Sequence, residues 1–342
     1  MKPDQADNPT LTATVSVRTP ARLHLGFLDL NASQGRKFGS IGLAVDSHYT
    51  DISVSKASEN RISGSQLSPE TLSRLEKIRQ RFYLTLGQAI PLAEQQTLID
   101  VKQQIPEHSG LGSGTQLALT LGTALAKYHH INIDTPSLAQ QLGRGKRSGI
   151  GVATFDRGGF IVDGGLKPEQ TVPPLLMHHT YPANWRIVLV MDPQHQGMHG
   201  QSESKAFKAL PIFPLDNARN ICHLTLMQLL PALLEQDIDE FGQAITDIQA
   251  LVGDHFAAAQ GGRYTSKVVA LCLEQAQNLG CKGIAQSSWG PTGCIFVESE
   301  TKAKQLIDQL NNIALAQFED SEQPVFITAA CDNDGAIIET SG

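Results

Sequence analysis

No stretch of this 342-residue sequence reaches about 18 consecutive apolar residues, so no membrane-spanning helix is expected. The opening segment Met1–Thr10 is polar and lacks the apolar core of a conventional secretory signal. Cysteine is scarce. Cys222, Cys272, Cys281, Cys294 and Cys331 are odd in number and form no CxxC pair. That argues against a disulfide framework or a structural zinc site and for a reducing, cytoplasmic setting. Excess positive charge is also missing, and a formal net charge of −7 argues against general nucleic-acid affinity. Against that acidic background Arg144-Gly-Lys146-Arg147 stands out as a basic cluster among glycines, which suits a small anion better than a polymer.

The chain is longer than one hydrophobic core usually serves, which predicts two domains. We place them at 11–175 and 183–342, divided within Leu166–Pro182, where Pro168, Pro173, Pro174 and Pro182 interrupt any periodicity. Alternation and β-branched content predict strands at 11–19, 22–28, 41–45, 49–55, 97–103, 160–163, 185–191, 283–286, 294–297 and 325–330. Helical spacing covers 69–86, a segment from after Gly110 to about Tyr128, and 135–142, 215–236, 238–252, 266–279 and 301–310. Strands that alternate irregularly with helices point to an α+β fold rather than a doubly wound sheet.

The most informative segment is Gly110-Leu-Gly-Ser-Gly-Thr115, between a strand and an Ala- and Leu-rich helix. Glycines let a ligand approach the backbone, and the first amides of a helix carry unpaired donors and partial positive charge. Together they suit a phosphate, with Ser113 and Thr115 adding hydroxyls. A plain glycine turn before a capped helix would read the same way. The loop is not a Walker A, for want of Gly-Lys-Ser/Thr, and it lacks the third glycine of a dinucleotide fingerprint.

Three motifs carry a wider resemblance. Pro106-Glu-His-Ser-Gly-Leu-Gly-Ser-Gly114 resembles the phosphate-binding motif of the GHMP kinases. Thr19-Pro-Ala-Arg-Leu-His-Leu-Gly26 resembles their N-terminal motif, and Ser287-Ser-Trp-Gly-Pro-Thr-Gly-Cys294 their C-terminal one. The resemblance implies the GHMP-kinase fold, an N-terminal α+β domain followed by a ferredoxin-like C-terminal domain. The kinase loop usually reads Gly-Leu-Gly-Ser-Ser-Ala. Here Gly114 replaces the second serine, whose hydroxyl helps bind the magnesium of ATP. A narrower resemblance accounts for that departure. Arg22–Asp29 and Leu142–Gly165 are similar to the β-ribofuranosylaminobenzene 5′-phosphate synthases, GHMP-fold enzymes that are not kinases.

That likeness implies condensation of phosphoribosyl diphosphate with 4-aminobenzoate or 4-hydroxybenzoate, early in methanopterin biosynthesis. The products are a C-riboside 5′-phosphate, carbon dioxide and diphosphate. It also implies a homodimer and no use of ATP. Magnesium is the metal to expect if one is used, although no unambiguous ligand set is visible. The alternative is an ATP-dependent small-molecule kinase of the GHMP type. On the synthase reading Gly110, Leu111, Gly112, Ser113, Gly114 and Thr115 hold one phosphate group, and Arg144, Lys146 and Arg147 hold another anion. Arg22 and His24 reach the same cleft, and Glu203 in the 197–203 segment is a further candidate. Asp29 and Asp156, with Arg147, form the expected catalytic set; the carboxylates would serve ribose hydroxyls, a magnesium ion or developing positive charge. Blander readings stand beside these: a helix end for Arg144–Arg147, and turn or capping roles for the two aspartates.

Overall fold

The structure is a computed structural model that describes residues 14–65, 67–197, 205–207 and 209–341. The first part of the chain runs β1 (Thr14–Asp29), β2 (Phe38–Lys56), β3 (Arg61–Gly64), α1 (Pro69–Thr85), β4 (Thr97–Gln103), α2 (Ser113–Tyr128), α3 (Thr135–Gln141), α4 (Ile150–Arg157), β5 (Phe160–Asp163) and β6 (Leu175–His179). The second runs β7 (Arg186–Met191), α5 (Leu215–Leu224), α6 (Leu230–Glu235), α7 (Ile238–Gln260), α8 (Lys267–Asn278), β8 (Gly283–Gln286), β9 (Gly293–Val297), α9 (Glu300–Gln317), β10 (Val325–Ala329) and β11 (Ile337–Ser341). No described helix is long and apolar enough to cross a membrane.

The first sheet has the order β11-β1-β2-β4-β3, with β5 on β2 and β6 on β5. The second has the order β10-β7-β9-β8, every pair antiparallel. Numbered within its own half that order is 4-1-3-2, with helices between its first and second and its third and fourth strands. This is the ferredoxin-like arrangement expected for the C-terminal half.

Several sequence expectations change in three dimensions. The two short strands predicted on either side of Pro20 are one strand, β1, whose register against β2 shifts between Pro20 and Ala21 and again between His24 and Gly26. Proline cannot donate to the ladder, and a bulge absorbs it without ending the strand. Helix α4 was hidden by the glycines around it, yet it buries Ile150, Val152 and Phe155. Strand β6 forms inside the proline-rich stretch expected to be a linker. The last strand, β11, returns to the edge of the first sheet and pairs with β1, so 337–341, placed with the second domain by sequence, joins the first sheet.

Three apolar clusters hold these layers. One lies under α1–α3 and another under α8 and α9. The third joins the halves, packing Leu23, Leu25 and Leu43 of the first sheet with Trp185, Ile187 and residues of α7. At its centre is Phe241, fully buried, with ring centroids 5.8 Å from Phe160, 5.8 Å from Tyr181, 5.3 Å from Trp185 and 5.6 Å from Phe296. Phe241→Ala is expected to lower stability by about 3–5 kcal/mol, the usual cost of emptying an aromatic core position, read from urea unfolding.

Candidate active site

The three motifs converge on one carbonyl. Gly110 O accepts hydrogen bonds from the Arg22 guanidinium and, at 2.7 Å, from Ser287 Oγ. Thr292 Oγ1 donates to Ser109 O at 2.7 Å, and Arg22 N donates to Leu111 O at 3.0 Å. The His24 amide donates to Ser287 Oγ at 3.0 Å, and Ser288 N returns a bond to His24 O at 3.0 Å. Gly110 adopts φ 86°, and a Cβ there would run into Ser287 O and the backbone of Gly290, so glycine is required at this crossing. Gly112 caps α2 in the left-handed region at φ 87°. Its carbonyl accepts from Thr115 N and Gln116 N, which starts the helix and directs the amides of its first turn into the cleft. Gln116, fully buried, ties α2 down by accepting from Thr19 Oγ1 at 2.9 Å and donating to Gly151 O at 2.9 Å. Residues 112–115 are half-buried and reachable by a ligand.

Arg144 lies against this helix start. Its Nη1 is 3.6 Å from where a Cβ on Gly114 would stand, and its Nε is buried with no hydrogen-bond partner. Burial, then the charges of Arg74 and Arg81, lower its pKa. A guanidinium therefore sits at the positive end of α2, an arrangement that favours an incoming anion.

The basic loop is held by a residue the sequence reasoning missed. Asp163, at the end of β5, is 1% exposed and accepts from Gly149 N at 2.8 Å and Gly165 N at 2.9 Å. Burial pushes its carboxyl up to about 6, against the opposite pull of these hydrogen bonds. Its only signal in sequence was its place at a strand end before Gly164-Gly165.

The other expected residues scatter. Arg147 does not join Arg144; its guanidinium lies 4.9 Å over the Phe207 ring and lines a cavity of about 510 Å³ with Lys37, Phe38 and Phe256. Lys146 is exposed. Asp29 Oδ1 accepts from Asn31 N at 2.7 Å and Ala32 N at 3.0 Å, holding the turn after β1 rather than facing the α2 loop. Asp156 sits on α4, accepts from Thr135 Oγ1 at 2.9 Å and lies 3.6 Å from Arg157. It lines two other cavities, with residues of α3, α4 and the 172–175 segment. His24 is 5% exposed, and burial followed by the Arg22 charge lowers its pKa to about 3, so it offers no positive charge to a phosphate. Glu203 lies outside the described residues.

A metal would find few donors here. Gly114 supplies no hydroxyl. Glu70, Glu107 and His108 bring ligand atoms within 4.8 Å of one another, but Arg74 already pairs with Glu107 at 2.8 Å and Glu70 at 3.4 Å.

Comparison with known proteins agrees with this architecture. Residues 64–159 match the GHMP kinases N terminal domain and residues 229–316 the GHMP kinases C terminal. Over 295 residues the chain is 35% identical to a protein of Archaeoglobus fulgidus named beta-ribofuranosylphenol 5′-phosphate synthase, covering 83% of this chain and 88% of that one. The chain belongs to the beta-ribofuranosylphenol 5′-phosphate synthase family. A second relative of that name, from Methanothermobacter thermautotrophicus, is 29% identical over 292 residues, 80% of this chain and 86% of its own. A homoserine kinase from Cytophaga hutchinsonii shares the fold, with a TM-score of 0.65 over 98% of this chain and 100% of that one at 15% identity. The GHMP fold expected from the three motifs is thus the fold of this family.

Asp163 gives a pH test. A carboxyl whose folded pKa lies above its unfolded value binds more protons when folded, so its contribution to stability falls as pH rises between the two values. Wild type minus Asp163→Asn should lose on the order of 2–3 kcal/mol between pH 4 and about 6 and stay flat above, followed by urea unfolding across that range.

Proposed function

We propose that this chain is a decarboxylating phosphoribosyltransferase that condenses phosphoribosyl diphosphate with 4-aminobenzoate or 4-hydroxybenzoate. The observation that carries this reading is Arg144 at the head of α2, its Nη1 3.6 Å from where a Cβ on Gly114 would stand. A kinase loop uses a second serine there, with magnesium, to neutralise ATP. This loop has Gly114 in place of that second serine, and Arg144 lies beside it. The name shared by the relatives supports the same reading.

In the reaction the C1′–O bond to diphosphate breaks and the bond pair leaves with the diphosphate. The oxocarbenium-like carbon left behind is attacked by the ring carbon that bears the carboxylate. The carbon–carboxylate bond then breaks, carbon dioxide leaves, and its electron pair restores the aromatic ring. The amides of α2 and Arg144 stabilise an anionic group of the substrate where charge is greatest. Arg22, braced on Gly110 O, lies at the same wall. Arg147 and Lys37, across the larger cavity, supply positive charge for a second anionic group. The donor set does not fit a kinase-type magnesium site, so magnesium, if used, would enter with the diphosphate. Homodimerisation, a cytoplasmic location and an early step of methanopterin biosynthesis belong to this proposal. The five free thiols suit the reducing location.

Purified protein given phosphoribosyl diphosphate and 4-hydroxybenzoate or 4-aminobenzoate should release carbon dioxide and diphosphate in equal amounts. ADP formation from ATP and a small alcohol, with no carbon dioxide from either benzoate, would overturn the reading in favour of a kinase. Arg144→Ala should weaken binding of inorganic diphosphate by about 10–100-fold in calorimetry, the loss of a charged hydrogen bond, with the melting temperature little changed.

A further inference from the structure

Beside the loop, between β1, α7 and the turn after β8, lies a small cavity of about 30 Å³, enough for a hydroxyl, an amino group or a water. Its walls are aromatic. Phe27 stands 4.6 Å from the His24 ring, centroid to centroid, and Phe256 stands 4.6 Å from Trp289. Its amide side chains are already committed. Gln249 donates to Leu25 O at 2.6 Å and accepts from Gln286 N at 3.0 Å. Gln286 accepts from Thr265 N at 2.6 Å and donates to Ser288 O at 3.0 Å. Arg263 is paired with Asp254 at 2.7 Å. His24 Nε2 is different: it is buried and has no hydrogen-bond partner among the described residues. A buried polar atom left in that state costs about 1–3 kcal/mol, which marks it as waiting for something.

Two features say what that is. First, His24 is two residues along β1 from Arg22, on the same face, so one strand presents both the guanidinium braced on Gly110 O and the unpartnered imidazole nitrogen. Second, burial, then the Arg22 charge, hold the ring neutral, and a neutral imidazole protonated on its other nitrogen presents Nε2 as an acceptor. An acceptor lone pair in an aromatic slot suits a donor on an aromatic ring, a phenol or an aniline.

We infer that this slot binds the 4-substituent of the aryl acceptor, and that His24 Nε2 accepts its hydrogen bond and takes its proton as the ring carbon attacks. This rests on the synthase reading above. The O–H or N–H bond breaks toward Nε2, and its electron pair flows through the ring into the new bond from the carboxylate-bearing carbon to C1′. The C1′–O bond to diphosphate breaks in step with it. When carbon dioxide leaves, the carbon–carboxylate pair restores aromaticity and the imidazolium returns the proton to the substituent. The net products are those already given. Bound diphosphate would offset the Arg22 charge that opposes protonation of His24 in the empty cleft. Phe256 also lines the larger cavity, so the carboxylate end of such a ring points toward Arg147 and Lys37.

The test begins with wild type. 4-Hydroxybenzoate should bind in calorimetry at least tenfold more tightly than benzoate or 4-methoxybenzoate, which have no proton to donate. His24→Gln should then lose about 100-fold or more in kcat for carbon dioxide release, with KM for phosphoribosyl diphosphate within threefold. The loss should shrink with 3,5-difluoro-4-hydroxybenzoate, whose phenol ionises without help. Equal binding of the three benzoates by an active wild type would mean that only water occupies the slot, and would overturn the inference even if the variant fails to fold. The same loss with every acceptor would make His24 merely structural. If wild type releases no carbon dioxide from either benzoate, the synthase reading itself falls.

Discussion

The carbonyl of Gly110 accepts one hydrogen bond from Arg22 on β1 and another from Ser287 on the turn after β8. Those donors lie on different sheets, and the loop between them opens the helix with the site's most ordered set of backbone amides. The loop thus cannot move independently of either sheet. The crossing needs two glycines in contact, Gly110 and Gly290, because side chains would separate the backbones and break both bonds. The 112–115 segment follows directly from 109–111, which is tied on both sides.

Charge is arranged around that anchor in two groups. Arg144, close enough to feel the charges of Arg74 and Arg81, lies at the start of α2, whereas Arg147 and Lys37 face the larger aromatic cavity. A substrate with anionic groups at opposite ends of a reacting centre fits two separated cationic groups better than one merged patch. The split is made by the 143–149 loop, whose end is fastened by the buried Asp163 carboxylate. Between the two groups the chain presents aromatic rings and one neutral histidine. On the proposed reaction, the cleft would carry charge beside the phosphoryl and carboxylate oxygens and little charge where the carbon–carbon bond forms.

Motif residues were the legible part of the site. The Gly110–Thr115 loop and Arg22 lie where their residue types predicted, because backbone amides and a strand-to-loop hydrogen bond depend on local chain direction. Asp29 and Asp156 misled because a carboxylate in a glycine-rich motif looks alike whether it faces a ligand or caps a turn. Asp29 satisfies two amides of its own turn, and Asp156 lies on an unexpected helix. Arg144 and Arg147 are three residues apart and read as one cluster, but across a backbone that turns through Gly143 and Gly145 only Arg147 reaches the larger cavity, while Arg144 lies against the start of α2.

The sequence by itself determined the elements whose apolar periods and caps are local, such as α1 behind Ser68, α8 behind Ser266 and the core strands β4, β5 and β7. It also determined that a helix starts just after the glycine loop at Gly110. Only the tertiary structure decided that β11 closes the first sheet, that Asp163 fastens the basic loop, and that His24 keeps a buried ring nitrogen without a partner. Each of these depends on contacts between residues far apart in the chain, and a local pattern contains no term for desolvation or for the pairing of distant backbone groups.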